Sequence, residues 1–177
     1  MKRGTTLSGK HVLLFAAPLY EELELLYPKI RLEEEGARTT VAGLGDAEYR
    51  GKHGYPVTCD AAVRDLDANA FDGLVIPGGF APDKLRRDPK VLELTKQICD
   101  AGKPVAFICH AGWVPISARI VRGRRVTSVG AIRDDLENAG AIWVDEPVVV
   151  DGNIITSRTP ADLPEFVRAL LVALTAD

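Results

Sequence analysis

Four apolar residues, Val105–Ile108, run directly into Cys109 and His110, and small residues then lead through Ala111 and Gly112 to Trp113. A short, unbroken apolar run bounded by turn signals reads as a strand buried on both faces. Such strands belong to parallel sheets covered by helices on either side, so this stretch restricts the chain to an α/β design more than any other. The pattern that follows predicts a sharp turn at Cys109 and a helix reaching about residue 121. A turn of that kind pushes the thiol out at the carboxyl end of the strand, as the nucleophile elbow of serine hydrolases does for its hydroxyl. Free N–H groups at a following helix start would favour a negative sulfur and draw the thiol below its ordinary value of about 8.5. The same residues also fit an inert, buried cysteine, a common fate for free thiols.

The remainder of the chain alternates strand and helix. Residues 11–17 read as the first strand, and 21–35 as a helix closed by Gly36, with Pro28 expected to kink it. Residues 38–42 form a second strand, a small hairpin turns around 51–54, and 60–72 are weakly helical. The run 74–76 breaks at Pro77-Gly78-Gly79; one helical turn over 82–87 and a helix over 89–100 follow. Beyond the cysteine come a short strand at 126–128, a helix over 132–139, and two strands flanking Asp151-Gly152-Asn153, a strong hairpin signal. The last helix starts near Thr159-Pro160 and runs to Leu174. The fold class is α/β, a sandwich with a mostly parallel central sheet. Ligands of such sheets bind beyond the carboxyl ends of the strands, so the loops 18–22, 77–80 and 109–113 should converge on one site.

With 177 residues, 46% hydrophobic, and a net charge of −3, the chain suits a single domain over 1–177, residues 1–10 being a loose extension. The absence of a basic excess argues against a nucleic-acid or anionic membrane surface. Three cysteines without a C-x-x-C pair and three histidines without H-E-x-x-H argue against a disulfide framework or a metal centre, and no cofactor is expected. The start, Met1-Lys2-Arg3 before an apolar stretch at 12–17, faintly imitates a signal peptide. That stretch is short and reads equally as a buried strand, so a cytoplasmic protein is expected. Gly43-Leu44-Gly45 lacks a third glycine, and 45–52 has the wrong spacing for a phosphate loop.

At the three loops, Gly78-Gly79 offers backbone N–H groups to an oxyanion, or is a plain turn. Glu21 or Glu22 places a carboxyl beside the thiol, or caps a solvated helix. His110 shuttles protons, or is an ordinary surface histidine. Trp113 walls a pocket or merely packs, and Cys59 and Cys99 read as structural.

Taken in order, these residues resemble the ThiJ/PfpI superfamily, and within it the PfpI (intracellular protease I) branch. The likeness rests on Val105-Ala106-Phe107-Ile108-Cys109-His110-Ala111 with Pro77-Gly78-Gly79 before it, on Tyr20-Glu21-Glu22-Leu23-Glu24-Leu25-Leu26-Tyr27-Pro28, and on Gly51-Lys52-His53-Gly54-Tyr55. It continues through Ala131-Ile132-Arg133-Asp134-Asp135-Leu136 and Ser157-Arg158-Thr159-Pro160-Ala161-Asp162-Leu163. The resemblance implies a flavodoxin-like three-layer sandwich of the class I glutamine amidotransferase type, assembling as homodimers or larger rings. It makes Cys109 the nucleophile, Glu21 the protonated glutamate bonded to its sulfur, and Gly79 with the N–H after the nucleophile the oxyanion site. Gly78, Ala111 and Trp113 fall around the substrate. In that branch an acid from a neighbouring subunit orients the histidine; here the position is Asp83, one methylene shorter than the usual glutamate. Ala111-Gly112 stands where Gly-Pro is common. The activities implied are glutathione-independent glyoxalase or deglycase chemistry on reactive aldehydes, in a stress-response role. An intracellular cysteine peptidase is the alternative, and a redox-sensing or chaperone-like protein without turnover is a third reading.

Overall fold

Strands too apolar to face water on either side stack into the middle of the molecule. The computed structural model describes residues 6–176. Among these residues eleven strands appear in chain order: β1 (His11–Phe15), β2 (Arg38–Gly43), β3 (Glu48–Arg50), β4 (Pro56–Thr58), β5 (Ala61–Ala62), β6 (Gly73–Ile76), β7 (Val105–Ile108), β8 (Arg125–Val126), β9 (Ile142–Trp143), β10 (Val148–Asp151) and β11 (Ile154–Ser157). The α-helices are α1 (Glu22–Glu34), α2 (Ala81–Leu85), α3 (Pro89–Asp100), α4 (Trp113–Ser117), α5 (Arg133–Asn138) and α6 (Leu163–Thr175). Seven strands form the main sheet in the order β10-β11-β7-β6-β1-β2-β5. All its pairs are parallel except the β10–β11 hairpin. Helices α1 and α6 pack together on one face, and α3 and α4 on the other. The molecule is therefore the expected three-layer α/β sandwich.

The chain runs outward from β1 to β2 and β5, then returns to lay β6 on the other side of β1. That reversal opens a crevice beyond the carboxyl ends of β1 and β6, where such sheets bind ligands. Strand β7 lies next to β6 with Ile76 level with Phe107, so the residue after Ile108 emerges at the same edge.

Four expectations need correction. Residues 60–72 form β5 and two 3-10 turns rather than a weak helix, because Asp60 and Asp67 bond to backbone N–H groups instead of starting one. The segment after the cysteine is a 3-10 turn, Cys109–Gly112, followed by the five-residue α4, not a helix to residue 121; it stops where Arg119 takes a left-handed conformation (φ 60°). Residues 125–126 pair with β9 in a separate two-stranded sheet. Of the supposed loose extension, 1–5 lie outside the described residues, whereas Leu7 is fully buried and its N–H bonds to the Glu35 carbonyl (3.0 Å). Helix α1 runs unbroken through the buried Pro28, whose missing N–H leaves the Glu24 carbonyl without its helical partner.

Candidate active site

Cys109 has φ 62°, a left-handed conformation that a side chain other than glycine's rarely adopts. Strand β7 ends in extended backbone at Ile108 and the chain turns at once into the 3-10 turn, so the strained residue is the elbow itself. Its thiol is half-buried, and His110 follows with Nδ1 3.3 Å from Sγ.

The other two loops close on this point. Tyr20 and Gly79 form an isolated antiparallel bridge, the Phe80 N–H donates to the Leu19 carbonyl (2.9 Å), and the Glu21 N–H to the Gly78 carbonyl (3.2 Å). A Cβ on Gly78 would lie 2.5 Å from Glu24 Oε2 and 2.8 Å from the Cys109 Cβ. Gly79 (φ 73°) leaves a Cβ only 2.5 Å from the Leu19 carbonyl oxygen. Only glycine fits either position, and the N–H groups of Gly79 and His110 turn toward the sulfur, favouring its anion.

The carboxyl beside the sulfur belongs to Glu24, not Glu21. Side chains of a helix tilt toward its N-terminus, and Glu24 lies on the same face as Leu25, Pro28 and Leu32, which pack on the sheet. Its side chain therefore points back over the carboxyl edge and is fully buried. Oε2 accepts the Gly78 N–H (2.7 Å). Oε1 has no partner within hydrogen-bond limits, yet Glu24 and Cys109 lie close enough to alter one another's ionisation. Burial raises the Glu24 carboxyl to about 7, the nearby Glu21 charge adding to it while the Gly78 N–H opposes it. Glu21 stands just before the helix, and its carboxylate binds the Lys52 ammonium (2.6 Å). Glu22 is also buried, but it serves the hairpin, accepting the His53 N–H (2.7 Å) and pairing with His53 Nδ1 (2.9 Å).

The sulfur does not sit in the thiolate-favouring setting expected of a helix start. Burial, then the Glu24 charge, push the Cys109 thiol up to about 12. A proton on Glu24 removes that repulsion and supplies a donor instead, so one proton governs both groups. His110 is held below the usual histidine value, by burial first and the Lys52 charge second. It is the neutral base nearest the thiol.

Asp83 lies on α2 with both carboxylate oxygens on Arg87 Nη2 (2.9 and 2.7 Å), and it makes no hydrogen bond to His110 among the described residues. Ala111 is buried in the elbow turn. Trp113 stands 5.5 Å from the His110 ring, with Nε1 donating to Asp135 (2.8 Å) and the Arg86 guanidinium 5.8 Å from its ring centre. Glu21, Glu22 and His53 are the only close cluster of metal-ligating side chains among the described residues, and each is committed to the partners just named. Cys59 and Cys99 are free thiols, raised chiefly by burial. The sequence reading missed Glu24 and Lys52. For Glu24 the signal was present, in its helical spacing from Pro28 and Leu32.

The chain is similar to known proteins over nearly its whole length. A model of the DJ-1/PfpI family matches residues 10–173. The deglycase TK1284 of Thermococcus kodakarensis is 46% identical over 92% of this chain and 98% of its own. The deglycase PfpI of Pyrococcus furiosus is 42% identical over 92% of this chain and 98% of its own. A two-domain protein of Anabaena variabilis with DJ-1/ThiJ/PfpI-like and ferritin-like domains superposes with a TM-score of 0.91 at 39% identity, covering 93% of this chain and 48% of that one. With its family model matched from β1 into α6 and relatives this similar over 98% of their own length, the chain belongs to the DJ-1/PfpI family.

Proposed function

We propose that this chain is a cysteine-dependent enzyme acting on small reactive carbonyls, with glutathione-independent glyoxalase or deglycase chemistry. The observation that carries the reading is the Cys109 thiol on a left-handed elbow, between the buried Glu24 carboxyl and the His110 Nδ1 at 3.3 Å. Two relatives named as deglycases support it.

On methylglyoxal the steps would run as follows. Neutral His110 takes the Cys109 proton as the sulfur adds to the aldehyde carbon; the S–C bond forms and the carbonyl electrons move to oxygen. The Gly79 and His110 N–H groups stabilise that oxygen and protonated Glu24 supplies its proton. The hemithioacetal loses its C1 proton to a base and regains one at C2, which gives a thioester of lactate. Water cleaves the S–C bond, lactate leaves and the thiol recovers its proton. Methylglyoxal plus water becomes lactate, with no net oxidation. A homo-oligomer belongs to the same proposal: Asp83 would orient the His110 of a second copy, its oxygens having acceptor capacity left beside Arg87.

The test is lactate formed from methylglyoxal without glutathione, by wild type and by Cys109→Ser. Product is measured because any thiol traps dicarbonyls reversibly. Many turnovers per subunit, abolished in the variant, are expected. Lactate formation unchanged in Cys109→Ser, or none by wild type, would overturn the reading. Peptide cleavage lost in the same variant would then favour the peptidase, and stoichiometric oxidation of Cys109 without turnover the redox sensor.

A further inference from the structure

Lys52 takes no part in the reaction as written, yet its charge reaches the side chains of Cys109, Glu24 and His110. It is not a loose surface lysine. Its own N–H donates to the Tyr20 carbonyl (3.0 Å), and the Gly51 N–H to the Tyr55 carbonyl (2.9 Å), so the hairpin tip is fastened at the base of α1. The buried Glu22 carboxylate fastens it again, through the His53 N–H and Nδ1. The ammonium then meets Glu21 Oε2 at 2.6 Å, a carboxylate whose side chain is only 7% exposed. Glu21 in turn is fixed by its N–H on the Gly78 carbonyl, next to the N–H that holds Glu24.

We propose that Lys52 is a positioning residue of this site, its ammonium anchored on Glu21 so that a fixed positive charge stabilises the sulfur anion of Cys109. The proposal rests on Cys109 as the reacting group. The ionisable side chains that act on the sulfur are Glu24 from α1, Lys52 from the hairpin and His110 beside it, with Glu21, just before α1, paired to Lys52. On α2, Asp83 is turned to Arg87, and Arg86, just after α2, to Ser117 and Trp113. Among these four groups, Lys52 alone brings positive charge while His110 is neutral. Its removal strips that charge from the anion and leaves Glu21 uncompensated. Removing the Glu21 charge instead leaves the ammonium unopposed. The two changes break the same ion pair but move the thiol in opposite directions.

That opposition supplies the test. Alkylation of Cys109 by iodoacetamide is followed across pH by mass spectrometry of its peptide, in wild type, Lys52→Gln, Lys52→Arg and Glu21→Gln. Lys52→Gln should move the alkylation midpoint up by about one unit, or about tenfold slower alkylation at pH 7, as expected for loss of an opposite charge nearby. Lys52→Arg should restore the wild-type profile, and Glu21→Gln should move the midpoint down. A shift of Lys52→Gln and Glu21→Gln in the same direction would show a merely structural pair and overturn the proposal. So would a folded Lys52→Gln whose profile overlays the wild type. Should Lys52→Gln fail to fold, an upward or absent shift in Glu21→Gln decides against it. Alkylation reads the thiol rather than turnover, so failure of the carbonyl reading leaves these profiles interpretable.

Discussion

A carboxyl with no exposed surface, set beside a desolvated sulfur, makes the charge state of one residue a property of the whole site. Glu24 is raised by burial from the ordinary 4.5 to about 7, so the folded protein holds a proton there that the unfolded chain releases. Stability from that proton is complete below pH 4.5 and is lost as pH climbs through 7. Relative to Glu24→Gln, the wild type should lose about 3 kcal/mol of unfolding free energy across that window, measured by denaturant titration at successive pH values. A flat difference would mean that Glu24 is ionised throughout. His110 gives a second pH prediction. Because burial and Lys52 hold it below 6.5, the acid limb of turnover should fall below pH 6.5, where the ring begins to take a proton. Lys52→Gln should shift that limb upward, since the charge opposing protonation is gone.

At the scale of elements, the site is three loops stapled at one sheet edge, and the staples demand glycine. Gly78→Ala would drive a methyl against Glu24 Oε2 and the Cys109 Cβ, so it should cost about 1–3 kcal/mol of stability and most of the turnover. A variant as stable and active as wild type would contradict the packing described. Much of this was legible in the sequence. The strand Val105–Ile108, the break at Pro77-Gly78-Gly79 and the convergence of the three loops all follow from apolar runs and turn residues, which act locally. The identity of the carboxyl was not. Glu21 and Glu24 lie three apart, on one face of a helical pattern, and both are buried. What separates them is the Lys52 ammonium, delivered from a hairpin thirty-one positions away in the chain, a contact that no local pattern announces. The short helix after the cysteine escaped for a related reason. The left-handed Arg119 that ends it is neither glycine nor asparagine, so it carries no stop signal.

For the whole molecule, the sheet order fixes where chemistry can occur. Strands β1, β6 and β7 end together beside the crevice, and α1 carries its acidic residues to the same edge. No helix among the described residues is long and apolar enough to cross a membrane. Leu19 and Phe80, joined by a backbone bond near the thiol, leave large apolar side chains in water. In the oligomer proposed above, Asp83 on the adjoining α2 is the residue to watch. Sedimentation should give a dimer or larger ring, and Asp83→Ala should lower turnover in that assembly; a monomer with full activity would remove Asp83 from the account. The most direct test of the central claim, that Glu24 is the sulfur's partner, compares kcat/KM for lactate formation in wild type, Glu24→Ala and Glu21→Ala, each checked for cooperative unfolding. Loss of an acid–base group predicts a fall of about a hundredfold or more for Glu24→Ala. Glu21→Ala, which keeps the Lys52 charge and leaves an ammonium that is 38% exposed and can turn to water, should stay within about fivefold. A larger loss at Glu21 than at Glu24 would contradict the site as described.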